Sequence, residues 1–157
     1  MHTFEARQQL AIDISTAWTF LSRPENLKII TPPGMGFDII SGASAKPMHA
    51  GMMIGYRVKP LAGIPLEWVT EITHVQAPYY FVDEQRIGPY RLWHHEHELK
   101  ELPGGVEMID RVTYKVPYGI LGRLLHALVI RRQLETIFAY RRRKMELLFP
   151  PYQDHDS

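Results

Sequence analysis

The chain has 157 residues, 45% hydrophobic and 22% charged, and a formal net charge of +1 at pH 7. That is enough for one domain burying roughly two thirds of its unfolded surface, and the balance excludes a disordered chain and gives no global electrostatic reason to expect nucleic acid as a partner. The absence of cysteine excludes disulfides, thiolate metal centres, iron–sulfur clusters and cysteine nucleophiles.

The opening MHTFEARQQLAIDIS alternates polar and apolar residues and has neither the basic flank nor the apolar core of a signal peptide. No uncharged apolar run approaches the ~18 residues needed to cross a bilayer. A cytoplasmic protein without a transmembrane segment is therefore expected. Residues 3–12 read as a first strand, after which Asp13 or Ser15 caps a short helix through STAWTFLS. PENLKII fits a second short helix with Pro24 in its first turn, and TPPGMG is a rigid turn.

Six further runs read as strands: 37–41, 52–59, 66–75, 80–87, 90–100 and 106–116. The connections between them, GASAKPMHAG, LAGIP, QAP, GP and PGG, are short and rich in Gly and Pro, which predicts an antiparallel meander. After Pro117 the period changes to that of one long helix, Leu121 to Phe149. Its apolar stripe includes Leu124, Leu125, Leu128, Leu134, Ile137, Phe138, Met145 and Leu148, and its other face carries Arg131, Arg132, Arg141, Arg142, Arg143 and Lys144. The expected organisation is a single domain over 1–149 and a loose tail over 150–157.

A sheet that buries one face against a helix needs an apolar and a charged side on each strand. In RLWHHEHELK (91–100) this places Trp93, His95 and His97 inward and His94, Glu96 and Glu98 in solvent. A two-residue turn within LPGGV then puts Met108, Asp110, Val112 and Tyr114 inward on the next strand. The same alternation assigns Ile54, Tyr56, Val58, Trp68, Thr70 and Ile72 to the inner face, and Phe81, Asp83 and Gln85 with them, leaving Tyr80 and Val82 outside.

The element order, the ITPP turn, the G-x-x-I-x-Y strand at 51–56, the segment PLEWVTEITHVQAPYYFVDEQRIGPYRLWHHEHEL, the GG-x-x-M-x-D-x-V-x-Y hairpin and the terminal RRQLETIFAYR together resemble the START-like, or SRPBCC, superfamily over nearly the whole chain. Within it they are similar to a bacterial polyketide cyclase/dehydratase-like branch. The resemblance implies an α+β helix-grip fold, a curved antiparallel sheet of about seven strands with two short helices after the first, wrapped around a long C-terminal helix and enclosing a cavity for a hydrophobic ligand. It supplies no catalytic motif, because the superfamily includes carriers, receptors and enzymes.

Three readings suit the inward polar set. His95 and His97 have the spacing at which two strand imidazoles share one ion, with Asp83 or Asp110 as a third ligand. Alternatively, each histidine packs in the cavity wall and bonds an aspartate or a carbonyl. In the third reading a His–Asp pair drawn from His95, His97, Asp83 and Asp110 shuttles protons for a cyclisation or dehydration. The expected function is binding of a lipid-, polyketide- or aromatic-like molecule against Tyr56, Trp68, Phe81, Gln85, Trp93 and Tyr114, with the cyclase/dehydratase enzyme as the alternative and without metal or cofactor. The cavity is expected within the roughly 300–1,000 Å³ of ligand sites, its entrance shaped by the turn 31–36 and the 42–51 loop. Met35, Met48, Met52 and Met53 suit irregular packing near that mouth, and the glycines at 34, 36 and 42 form no dinucleotide fingerprint.

Overall fold

The structure, a computed structural model, describes residues 1–42, 46–59 and 63–153. Parts of the 42–51 and 61–65 connections and the last four residues of the chain lie outside them. Strand β1 (His2–Leu10) leads into α1 (Ile14–Leu21), whose start is fixed because Asp13 Oδ1 accepts the Thr16 N–H at 2.7 Å. Helix α2 (Pro24–Ile29) begins on the proline, whose missing N–H would have been unpaired in a first turn anyway. A 3₁₀ turn (Pro33–Met35) closes on Gly36 at φ 56°, in the left-handed region glycine adopts without strain.

The meander follows as β2 (Asp38–Ser41), β3 (Met53–Val58), β4 (Leu66–Gln76), β5 (Tyr80–Ile87), β6 (Leu92–Leu102) and β7 (Gly105–Lys115). All neighbours are antiparallel in the order β1-β7-β6-β5-β4-β3-β2. The β6–β7 hairpin turns on two residues, Pro103 and Gly104, so Leu102 faces Gly105 and His97 faces Asp110. This register puts the inward residues of both strands on one face.

Helix α3 (Gly119–Leu125), a π-helical turn (His126–Ile130) and α4 (Arg131–Leu148) run without interruption as the long C-terminal helix. Ile130, Leu134 and Phe138 pack with Val112 and Tyr114, while Met145 joins Leu10, Leu99 and Met108. The expected apolar stripe is only partly buried: Leu124, Leu128 and Leu148 are exposed, whereas Arg141, expected on the polar face, is 8% exposed. Arg141 falls between Phe138 and Met145 at the 3- and 4-residue spacing of the buried row. After α4, Pro151 bridges to Leu10 and the Tyr152 hydroxyl donates to Pro103 O at 2.9 Å, while the rest of the expected tail, 154–157, lies outside the described residues.

Strand alternation holds for the inner face, where Ile54, Tyr56, Val58, Thr70, Ile72, Phe81, His95, His97 and Asp110 are all buried. The outer face is less open than expected. His94, Glu96 and Glu98 are half-buried, the first two in cross-strand pairs, with His94 Nδ1 2.7 Å from Glu84 and the Tyr80 hydroxyl donating to Glu96 at 3.0 Å. Val82 is 1% exposed although it points outward, since this short side chain stands between His74 and Glu96 on the flanking strands. Met35 and Met48 line the interior and Met52 is buried, but Met53 is exposed on the opposite parity.

Candidate functional site

Between the sheet and the C-terminal helix lies a cavity of about 180 Å³. Tyr56, Trp68, Phe81 and Trp93 form part of its sheet wall, Leu134 and Phe138 part of its helix wall, and Leu21 and Leu27 reach it from α1 and α2. Thr31, Met35 and Met48 of the expected entrance also line it. The volume falls below the expected range because the interior is occupied by its own rings. Trp68 meets Trp93 edge-on at 5.2 Å, Tyr90 lies 4.9 Å from Trp93, and Phe37 lies 4.6 Å from Tyr56.

Gln85 and Tyr114 are placed elsewhere. The Gln85 side chain donates to Tyr90 O at 2.7 Å and accepts the Tyr90 N–H at 3.1 Å, clamping the β5–β6 turn. Tyr114 is 2% exposed, and its hydroxyl lies 2.6 Å from His126 Nε2. His126 in turn stacks on His2 at 3.5 Å, and burial of both imidazoles, first among the causes, lowers both pKa values.

At the polar end of the cavity, strands β5, β6 and β7 bring Asp83, His95, His97 and Asp110 together, and α4 adds Arg141. The imidazoles of His95 and His97 lie 3.8 Å apart, a consequence of their i, i+2 positions on one strand. His97 Nε2 lies 2.6 Å from Asp83 Oδ2 and its Nδ1 3.1 Å from Asp110 Oδ1. His95 Nε2 lies 2.9 Å from Asp110 Oδ1, but its Nδ1 is 3.6 Å from Asp83, beyond a good hydrogen bond. Arg141 Nη1 donates to Asp110 Oδ1 at 3.2 Å, and the Arg141 guanidinium lies over the Phe138 ring at 4.8 Å. Arg141 Nε has no hydrogen-bond partner among the described residues.

The charges of this cluster interlock. Burial alone would raise both carboxyl pKa values, yet Asp110 is held well below the usual range by Arg141 and the two histidines, and Asp83 is lowered by His95 and His97. Burial and then the charge on His97 push His95 below its ordinary value. For His97 burial acts in the same direction, but its contacts with Asp110 and Asp83 overcome it and raise the pKa. With both carboxylates ionised and Arg141 charged, one proton beyond those of two neutral imidazoles balances the site, and His97, with both ring nitrogens against carboxylates, is the better placed to hold it.

Asp83, His95 and His97 each offer a ligand atom within 4.8 Å of the others, and this set could hold a divalent ion. Atoms at about 2.0–2.2 Å from a tetrahedral ion stand roughly 3.3–3.6 Å apart. The 2.6 Å contact between His97 and Asp83 is tighter than that and has the length of a charge-assisted hydrogen bond.

Arg141 is the member of the site that sequence reading assigned to solvent. The signal was present in the spacing of Leu134, Phe138, Arg141 and Met145, a 4-3-4 row of which three members are apolar.

No protein-family model matches the sequence, and no curated protein matches it. Solved structures do match. Protein CV1439 from Chromobacterium violaceum superposes with a TM-score of 0.72 at 11% identity, covering 97% of this chain and 100% of the other. Protein Ms6760 from Mycobacterium smegmatis gives 0.68 at 17% identity over 93% and 89%. Ginseng major latex-like protein 151 from Panax ginseng gives 0.66 at 13% identity over 96% and 98%. With its seven-stranded antiparallel sheet, two short helices after β1 and long C-terminal helix, the chain has the helix-grip fold, that of the START-like superfamily its sequence resembles.

Proposed function

We propose that this protein binds a small hydrophobic or amphipathic molecule in the cavity between the sheet and the C-terminal helix. The observation that carries this reading is the cavity's asymmetry, with aromatic and aliphatic walls over most of its surface and one charged cluster, neutral as a whole, at one end. Tyr56, Trp68, Phe81 and Trp93 hold the apolar body, and the His/Asp/Arg end orients a polar group. At about 180 Å³ the space suits a compact aromatic or short-chain molecule better than a full lipid.

Native mass spectrometry of freshly purified protein tests this, with a co-purified mass that disappears on denaturation as the expected result. Because Trp68 and Trp93 line the cavity, added ligand also changes tryptophan fluorescence. A panel of small aromatic and amphipathic compounds that leaves both readouts unmoved argues against the reading.

A second reading, acid–base chemistry of the cyclase/dehydratase type, is favoured by the unequal histidines. Both ring nitrogens of His97 face carboxylates, which suits its protonated form, while His95 Nδ1 has only the 3.6 Å contact with Asp83, so an acid and a base stand side by side at the cavity end. Once a ligand is known, His95→Gln and His97→Gln separate the two readings. Retained binding with lost turnover supports an enzyme, and a parent protein that binds without turnover supports a carrier or sensor.

A further inference from the structure

The first half of the C-terminal helix gathers several large hydrophobic side chains at the surface. Ile120, Leu121, Leu124 and Leu128 are 77%, 73%, 56% and 62% exposed, and Tyr118 just before them is 75% exposed. At 100° per residue Ile120, Leu121 and Leu124 of α3 fall within one arc of about 100°, with the buried Gly122 outside it, and Leu128 in the following π-helical turn adds a fourth exposed side chain. A stripe of this size left in solvent marks a contact surface. Its charge pattern narrows the partner. Between Asp110 and Glu135 the sequence has no acidic residue but five cations, of which Arg111 pairs with Glu5 and Glu96 and Arg131 with Glu135, while Lys115, Arg123 and Arg132 have no acidic partner among the described residues. Of these, Lys115, Arg123, Arg131 and Arg132 are exposed.

We propose that this face of the helix, Ile120 to Leu128 with its flanking cations, docks onto an anionic lipid membrane surface. The stripe stands proud on a helix, so it fits a soft interface into which side chains sink, and the flanking Lys and Arg reach the headgroups while their stems follow the apolar boundary. A second copy of this chain is a poorer occupant, since self-pairing would bring cation against cation with no acid on the stripe to offset it. The local excess of charge also explains how a protein of net charge +1 presents a cationic face. The contact is peripheral, as no helix among the described residues is long and apolar enough to cross a membrane.

Co-sedimentation with vesicles of phosphatidylcholine, with and without phosphatidylglycerol, tests the proposal. The full chain is expected to pellet with the anionic vesicles at low salt, roughly tenfold more weakly with neutral ones, and to be released as salt shortens the screening length. Leu121→Glu with Leu124→Glu should abolish pelleting while leaving the melting temperature unchanged, because both side chains are exposed. Arg123→Glu should weaken binding severalfold. Leu147→Glu, at an 81% exposed position near the far end of the helix, should bind like the parent. Failure to pellet on anionic vesicles overturns the proposal, as does equal binding to neutral vesicles or an equal loss in Leu147→Glu. A concentration-dependent dimer in sizing experiments that the double variant dissolves would assign the face to self-association instead.

Discussion

Arg141 neutralises Asp110 from the opposite layer of the protein, so its removal leaves this buried carboxylate with the histidines alone to balance its charge. Arg141→Met is expected to cost about 3–5 kcal/mol in urea unfolding, and adding Asp110→Asn should restore part of it. A loss near zero would mean that the two histidines alone carry the charge of Asp110. The histidines themselves should titrate on opposite sides of the ordinary imidazole value, about 6.5, with His97 above it and His95 below. Nitrogen-resolved NMR should show His97 losing its second ring proton at a higher pH than His95 does. In His97→Gln the His95 midpoint should rise, because the like charge depressing it is gone. Two identical midpoints would contradict the assignment.

At the scale of elements, the junction between β7 and α3 depends on a single missing side chain. A Cβ on Gly122 would collide with Pro117 O, a backbone atom that cannot swing aside. Gly122→Ala is therefore expected to destabilise by about 1–3 kcal/mol, despite alanine's better helix propensity. Gly34→Ala is the control, since a Cβ there meets nothing within 4 Å and the change should stay within about 0.5 kcal/mol. Thermal unfolding of the two variants side by side checks both. The strands were the most readable elements because a pleated strand has a fixed period of two, so charges on alternate residues oriented β6 and β7 and brought His95, His97 and Asp110 inward together. Strand β5 was less readable, since Val82 on the outer parity is buried by its neighbours.

For the whole molecule, the buried cluster makes stability depend on pH from two sides. The depressed carboxyls of Asp83 and Asp110 contribute stability that is present above their unfolded value, about 3.8, and lost as pH falls through their folded values. His97, raised in the folded state, contributes stability present below about 6.5 and lost as pH rises through its folded value. His95 is lowered, so it works against the fold as pH falls below about 6.5. Denaturant midpoints measured across pH should therefore fall steeply on the acid side and gently above neutrality. His97→Gln should remove the alkaline decline, and its persistence in that variant would place the titrating group elsewhere.

The sequence by itself determined what local periodicity and turn chemistry can determine. A cap at Asp13 or Ser15, the start of α2 at Pro24, a tight turn within LPGGV and the parity of the central strands each depend on residues within a few positions of one another, and the structure chose Asp13 and the two-residue turn. Only the tertiary structure decided the rest, because those features arise from contacts between distant segments. The Arg141–Asp110 pair spans 31 residues, and a run of RRRK on an amphipathic helix looks solvated until the sheet beside it supplies a buried acid. Gln85 faces inward by parity, but its amide is taken by the backbone of Tyr90. The cavity volume and the position of the balancing proton were equally out of reach, for both follow from how β5, β6, β7 and α4 close on one another in space.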